Sequence, residues 1–290
     1  MELIKLGEKT YYIKNPTNIG IYKIDENNVY LIDSGNDKDA GKKILKIIEE
    51  QGWNVKGIIV THSNADHIGG NKVIQDRTGC KIFASKVEKC ISECPVIEPS
   101  FLYGGYPFKE LRNKFLEAKE SIVDDIDECL PNGLEKISLK GHYFEMIGIK
   151  TDDDVYFLAD SLFSEETIEK YHLFFIYDIR EYLNTLDYLS SLKGKMFIPS
   201  HCEANDNISN LIEVNRNKIY EIINKICDFC GEGITFEDLL KRIFDEYNLI
   251  MNPNQYVLIG STVRSYLSYL NDENKIYFEF DNNKMYWKRR

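Results

Sequence analysis

No stretch of eighteen uncharged apolar residues occurs anywhere in the chain, so a membrane-spanning helix is excluded from the reading. The opening Met1-Glu2-Leu3-Ile4-Lys5-Leu6-Gly7 lacks the basic start and apolar centre of a secretory signal, which leads to the expectation of a soluble, cytoplasmic protein. Positive charge is also in deficit: 36 Lys and Arg stand against 47 Asp and Glu, a net charge of −11. A binder of nucleic-acid backbone needs a basic face, so nucleic acid is argued against as a partner, while small anionic substrates are not. Seven cysteines, an odd number at irregular spacing, fit reduced thiols rather than a disulfide framework. Cys227-Asp228-Phe229-Cys230 has zinc or redox spacing, but it lies in a helical run with no second pair or histidine nearby, which argues against a structural zinc. Cys202 reads as a buried neighbour of His201 or a redox-sensitive one.

Histidine is scarce as well, with five in the chain, yet two of them fall within Thr61-His62-Ser63-Asn64-Ala65-Asp66-His67. The preceding Gly57-Ile58-Ile59-Val60 is short, apolar and β-branched, the pattern of a buried strand. A helix start near Asp66 would then place two imidazoles, a carboxylate and an amide on one strand-to-helix loop. Imidazole with carboxylate suits zinc, iron or manganese. The competing reading is a capped helix start, with Asp66 as the cap and both histidines merely polar.

Followed along the chain, the motif resembles that of the metallo-β-lactamase superfamily, His-x-His-x-Asp-His with isolated ligands later at strand ends, over about residues 1–210. The resemblance implies an αββα four-layer sandwich of the α+β class. It also implies a third histidine at His142 in Lys140-Gly141-His142-Tyr143-Phe144, a bridging carboxylate at Asp160 after Val155-Tyr156-Phe157-Leu158-Ala159, and a last histidine at His201 after Met196-Phe197-Ile198-Pro199-Ser200. Asp33, ending the strand Val29-Tyr30-Leu31-Ile32, would accept the free ring N–H of a ligand histidine. A turn-forming Asp before Ser34-Gly35 explains it equally well.

One position departs from the family: its second motif histidine is Asn64 here. Carried over residue by residue, one metal would take His62, His142 and Asp160, with Asn64 where an imidazole is missing. The other would take Asp66, His67, His201 and Asp160. Asn64 then coordinates weakly or holds water, or its site fills only with substrate, or a single metal is bound. The expected cofactor is two zinc ions, one site weak, with manganese or iron as alternatives. Metal-activated hydroxide near Asp160 would attack a small ester, thioester, lactone or phosphodiester substrate, and Asp66 would pass a proton to the leaving group. Two other readings stay open. His62, His142 and Asp160 form the two-histidine, one-carboxylate face of a mononuclear non-heme iron oxygenase similar to the persulfide dioxygenases, although retention of Asp66, His67 and His201 favours hydrolysis. A catalytically inert metal-binding or interaction protein is the other.

Around this core the pattern gives strands at Leu3–Leu6, Thr10–Ile13, Gly20–Ile24 and Val29–Ile32, then a helix at Asp39–Gln51 capped by Asp37 or Asp39. The insertion 95–121 concentrates aromatic residues. Tyr103 and Tyr106 are its candidate substrate contacts if it acts as a lid, whereas the alternative is a surface helix anchored by its rings. Residues 211–290 form the expected second unit, two helices and a β-ribbon around Asp281-Asn282-Asn283, resembling a winged helix. From Glu232 onward eight basic residues face nine acidic ones, a net of −1, which argues for packing, a cleft wall or a homodimer contact over DNA binding.

Overall fold

The computed structural model describes residues 1–128 and 130–290. Seven strands form the first sheet in chain order: β1 (Glu2–Lys5), β2 (Thr10–Lys14), β3 (Ile19–Lys23), β4 (Asn28–Ile32), β5 (Asn54–Ile59), β6 (Lys81–Ala84) and β7 (Asp124–Asp125). β1 to β4 are antiparallel, and β4 to β7 run parallel. The second sheet has the order β11-β10-β9-β8, built from β8 (Leu134–Ser138), β9 (Ile147–Thr151), β10 (Val155–Ala159) and β11 (Met196–Pro199), with β10 and β11 parallel.

Strand alternation sorts the side chains into layers. Tyr12, Tyr22, Ile32, Ile59 and Phe83 of the first sheet meet Ile147, Ile149, Val155, Phe157 and Ile198 of the second, which makes the core between the sheets. The opposite parity, Ile13, Ile21, Leu31 and Ile58, faces helix α1 (Lys38–Glu50), whose stripe Ile44, Leu45 and Ile48 is buried there. Asp37 is the cap of α1, accepting from the backbone N–H groups of Asp39 and Ala40. Next come α2 (Ala65–Ile68), α3 (Asn71–Thr78) and α4 (Lys86–Glu93), then α5 (Ile97–Tyr103) in the insertion. The far face of the second sheet is covered by α6 (Glu165–Tyr171), α7 (Ile179–Ser191) and α8 (Ser209–Phe229), followed by α9 (Phe236–Glu246) and α10 (Pro253–Asp272). This is the helix–sheet–sheet–helix arrangement that the sequence resemblance implied.

The chain ends in a hairpin of β12 (Ile276–Asp281) and β13 (Lys284–Arg289), turned at Asn282 and Asn283, both with positive φ as a type I′ turn requires. One hydrophobic cluster runs continuously from Ile91 and Leu139 through α7 and α8 to Tyr266, Leu270 and Ile276, so the C-terminal helices pack directly on the second sheet's helical layer. No described helix is long and apolar enough to cross a membrane.

The parallel strands point their carboxyl ends the same way. Loops at those ends carry the motif, and a positive φ at Asp33 (65°) and at Ala159 (49°) marks the two turns that aim carboxylates inward. Gly141, with φ 119°, holds the loop between β8 and β9 against α7: a Cβ there would lie 2.2 Å from the Tyr182 backbone nitrogen. Its carbonyl accepts from the N–H groups of Tyr177 and Asp178. Gly141→Ala is therefore expected to cost about 2–3 kcal/mol, from combined φ strain and overpacking, measured by denaturant unfolding. A variant within about 0.5 kcal/mol of wild type would show that this loop is not clamped as described.

Candidate metal centre

Six side chains from four separate segments meet at these strand ends. His67 Nε2 stands 3.2 Å from Asp160 Oδ1 and 3.7 Å from Asp66 Oδ2. His201 Nε2 lies 3.1 Å from Asp160 Oδ2 and 3.3 Å from Asp66 Oδ2. His142 Nε2 is 3.6 Å from Asp160 Oδ2, and the rings of His62 and His67 have centroids 3.9 Å apart. Potential donor atoms of His62, His67 and Asp160 lie within 4.8 Å of one another, as do those of Asp66, His67 and His201. His67 is common to both groups. His142 Nε2 stands beside the first group, 3.1 Å from Asn64 Oδ1 and 3.6 Å from Asp160 Oδ2.

Local folding explains how these groups are held. Asn64 occupies the N-cap position of α2 but makes no side-chain cap bond, and Asp66 lies inside the helix's first turn, so the reading of Asp66 as a cap is set aside. Thr17 donates its hydroxyl to Asp66 Oδ2 at 3.0 Å instead. Asp33, 1% exposed, accepts from the Thr61 N–H, from Thr61 Oγ1 and from His67 Nδ1, the last at 2.8 Å. That bond fixes the Nδ1 side of the ring on Asp33 and turns Nε2 toward Asp160, the orientation a ligand histidine needs. His201 donates from Nδ1 to the Pro16 carbonyl at 2.8 Å, again freeing Nε2.

Electrostatics distinguishes the rings. Burial, then the charge on His67, holds His62 well below the usual imidazole range. Burial also depresses His142. Burial opposes charge on His67 and His201 too, but the carboxylates of Asp160 and Asp66 outweigh it and hold both well above that range. The same attraction overrides burial for Asp160 and Asp66, which stay below the ordinary carboxylate range. Asp160, buried beside Asp66, demands positive charge. His62 Nε2, His67 Nε2 and Asp160 Oδ1 are buried without a hydrogen-bond partner among the described residues. Orphaned imidazole nitrogens beside an orphaned carboxylate oxygen are the donor set that suits a borderline divalent cation such as zinc.

The family pattern of the metallo-beta-lactamase superfamily matches residues 13–201, which include all of these side chains. The chain belongs to the metallo-beta-lactamase superfamily. Among curated proteins it is similar to the hydroxyacylglutathione hydrolase of Rhodopseudomonas palustris (strain BisB18), 30% identical over 129 residues, 44% of this chain and 42% of that protein. The corresponding hydrolase of Nitrobacter hamburgensis is 27% identical over 122 residues, 42% of this chain and 39% of that protein. The chain thus spans about two fifths of the length of these curated relatives. Among solved structures, a beta-lactamase domain protein from Burkholderia ambifaria superposes on all of this chain and 94% of its own, with a TM-score of 0.74 at 13% identity. A metallo-beta-lactamase family protein from Thermus thermophilus gives 0.69 at 15% identity, over 100% of this chain and 98% of its own. These likenesses extend the shared fold through the C-terminal helices.

Within the superfamily frame, a cleft of about 500 Å³ opens above Asp66 and His201. Its walls include Phe163, Leu173, Phe174 and Phe175, with Gln255, Leu258 and Ile259 contributed by α10. Tyr103 and Tyr106 do not reach it. Tyr103 lines a separate pocket with Tyr177, Arg180 and Arg264, and Tyr106 is 75% exposed beside Arg112. The insertion is anchored by Phe101, which packs edge-on against Phe144 and Tyr177, and by Leu102, Leu111 and Leu116 against Val257. Phe115 is the ring that the insertion places in the cleft.

Two buried carboxylates escaped sequence reasoning. Glu88 accepts from the N–H and hydroxyl of Ser63 and from the Glu145 N–H, so it ties the motif loop to the loop bearing His142. Glu98 accepts from Asn64 Nδ2 at 2.6 Å. Burial raises Glu98 well above the ordinary range and pushes Glu88 up to about 7. Their only sequence signal is an acidic residue among helix positions, which is commonplace.

For Glu88 the linkage has a definite sign. A carboxyl whose pKa rises from 4.5 to about 7 on folding contributes stability that is full below 4.5 and is lost as pH climbs toward 7. Relative to Glu88→Gln, wild type is therefore expected to lose at least about 1 kcal/mol between pH 5 and pH 8. Thermal unfolding of both proteins at the two pH values measures this. A pH-independent gap would mean that Glu88 does not carry the raised pKa.

Proposed function

We propose that this protein is a metal-dependent hydrolase that cleaves a small thioester, with esters and lactones as related substrates. The observation that carries the proposal is the convergence of four histidines, Asp66 and Asp160 beneath an open, largely apolar cleft. The likeness to hydroxyacylglutathione hydrolases over part of their length supports the thioester class. Two divalent cations are proposed, zinc ahead of manganese or iron. His62, His142, Asn64 and Asp160 would hold one, and Asp66, His67, His201 and Asp160 the other. Bound there, such ions supply Lewis acidity and hydroxide at neutral pH.

The remaining work falls to the chain's own groups. Asp33 holds the His67 ring by its Nδ1 proton and keeps Nε2 a lone-pair donor. Asp160, buried, presents Oδ1 to His67 and Oδ2 to His142 and His201, which centres its charge between the two ligand groups. Asp66 is half-exposed to the cleft and steadied by Thr17, so it is the carboxylate within reach of a leaving-group proton. Phe174, Phe175, Leu258 and Ile259 exclude water and seat an apolar acyl group, while Glu166 and Lys170 are the charges at the cleft. We assign the chemistry to residues 1–210 and the outer cleft wall to residues 211–290, whose α10 supplies Leu258. The presence of the Asp66, His67 and His201 group favours hydrolysis over a mononuclear iron oxygenase.

The test is turnover of a thioester, ester, lactone and β-lactam panel with and without chelator. Thioester cleavage that is abolished by chelation and restored by zinc or manganese is expected. Leu258→Ala is expected to raise KM for longer acyl chains about three- to tenfold, with kcat little changed, since this partly buried apolar side chain contributes about 0.7–1.4 kcal/mol. Metal-loaded protein inert toward every acyl compound, or active only on a persulfide with consumption of oxygen, would overturn the reading.

A further inference from the structure

The position at which the chain departs from its superfamily is also the position gripped from outside the motif. The Asn64 amide lies between two partners. Its Oδ1 is 3.1 Å from His142 Nε2, and its Nδ2 donates to Glu98 Oε1 at 2.6 Å. Glu98 is 3% exposed and comes from α5, in an insertion that is anchored to the core by Phe101 and Leu102.

An asparagine amide is nearly symmetrical in shape, and a half-turn about its last bond would point the NH2 group at His142 and at the cation. Nitrogen of an amide has no lone pair to donate, so that orientation coordinates nothing. Glu98 Oε1 takes the amide nitrogen at 2.6 Å on the outer side, and so it holds the amide oxygen inward toward His142. The short bond also polarises the amide toward its oxygen, strengthening a donor that is otherwise weak and neutral. An imidazole at this position needs neither service. His62 Nε2, buried and without a hydrogen-bond partner, and His142 Nε2 complete a nitrogen, nitrogen, oxygen face around the same space as Asp160.

We propose that Glu98 is a positioning residue that makes Asn64 an oxygen ligand for the cation beside His62, His142 and Asp160, so that the insertion supplies what the missing histidine does not. The inference rests on the two-cation reading above.

Cobalt(II) titration of metal-free protein, read by visible absorption and by cobalt bound per chain, tests it without reliance on turnover. Wild type is expected to bind two cobalt ions with unequal affinity. Glu98→Leu is expected to weaken the weaker ion about 10- to 100-fold and to leave the tighter one unchanged. Glu98→Gln, close in shape, is expected to shift it in the same direction by less, and serves if the leucine variant does not fold. In an Asn64→His background the Glu98→Leu change is expected to have no effect on either ion. Unaltered binding in both Glu98 variants would overturn the inference, as would an equal loss in the Asn64→His background, which would mean that Glu98 merely supports α5. Wild-type protein that takes up one ion or none would instead fail the two-cation reading itself, and the inference with it.

Discussion

The structure turns on a charge that cannot be left unanswered. Asp160 and Asp33 are buried at the carboxyl ends of β10 and β4, and an isolated carboxylate at such depth costs several kcal/mol. Imidazoles answer that charge: His67 bridges the two carboxylates, Nδ1 to Asp33 and Nε2 to Asp160. Because the pairing needs both carboxylates at fixed distance, the two sheets must meet in one register. The left-handed turns at Asp33 and Ala159 are the local strain that this arrangement tolerates.

From that constraint the remaining layers follow. Four loops that are far apart in sequence are drawn to one edge, and three of them are fastened there by further hydrogen bonds: Thr17 to Asp66 and Glu88 to Ser63 in the motif loop, Glu88 to Glu145 beside His142, and Pro16 to His201. The apolar walls come from elsewhere, from the loop after α6 and from α10. Polar anchors thus orient the reactive groups, while aromatic and aliphatic side chains bound the space above them. This division of labour lets one fold vary the walls around a substrate without moving the side chains of the centre.

Much of this was legible in the residues. Gly57 to Val60 read as a strand because its period and β-branching are local properties, and Asp37 and the Asn282-Asn283 turn declared their roles through short-range hydrogen-bonding chemistry. His142, Asp160 and His201 carry no local signal and were placed by resemblance alone. Glu88 and Glu98 stayed invisible because their meaning lies in partners 25 and 34 residues away. The ring-rich insertion misled in a specific way. Phe101 and Leu102 face inward on α5, Tyr103 at its end lines a separate pocket and Tyr106 lies exposed in the loop beyond, distinctions that an aromatic count does not make.

The two-cation centre proposed for these carboxylates and imidazoles has Asn64 in place of one motif histidine. Elemental analysis of protein purified without chelator and without nickel-affinity resin tests this most directly. Close to two zinc or manganese ions per chain are expected. A single iron per chain, or no bound metal after dialysis against zinc, would contradict it.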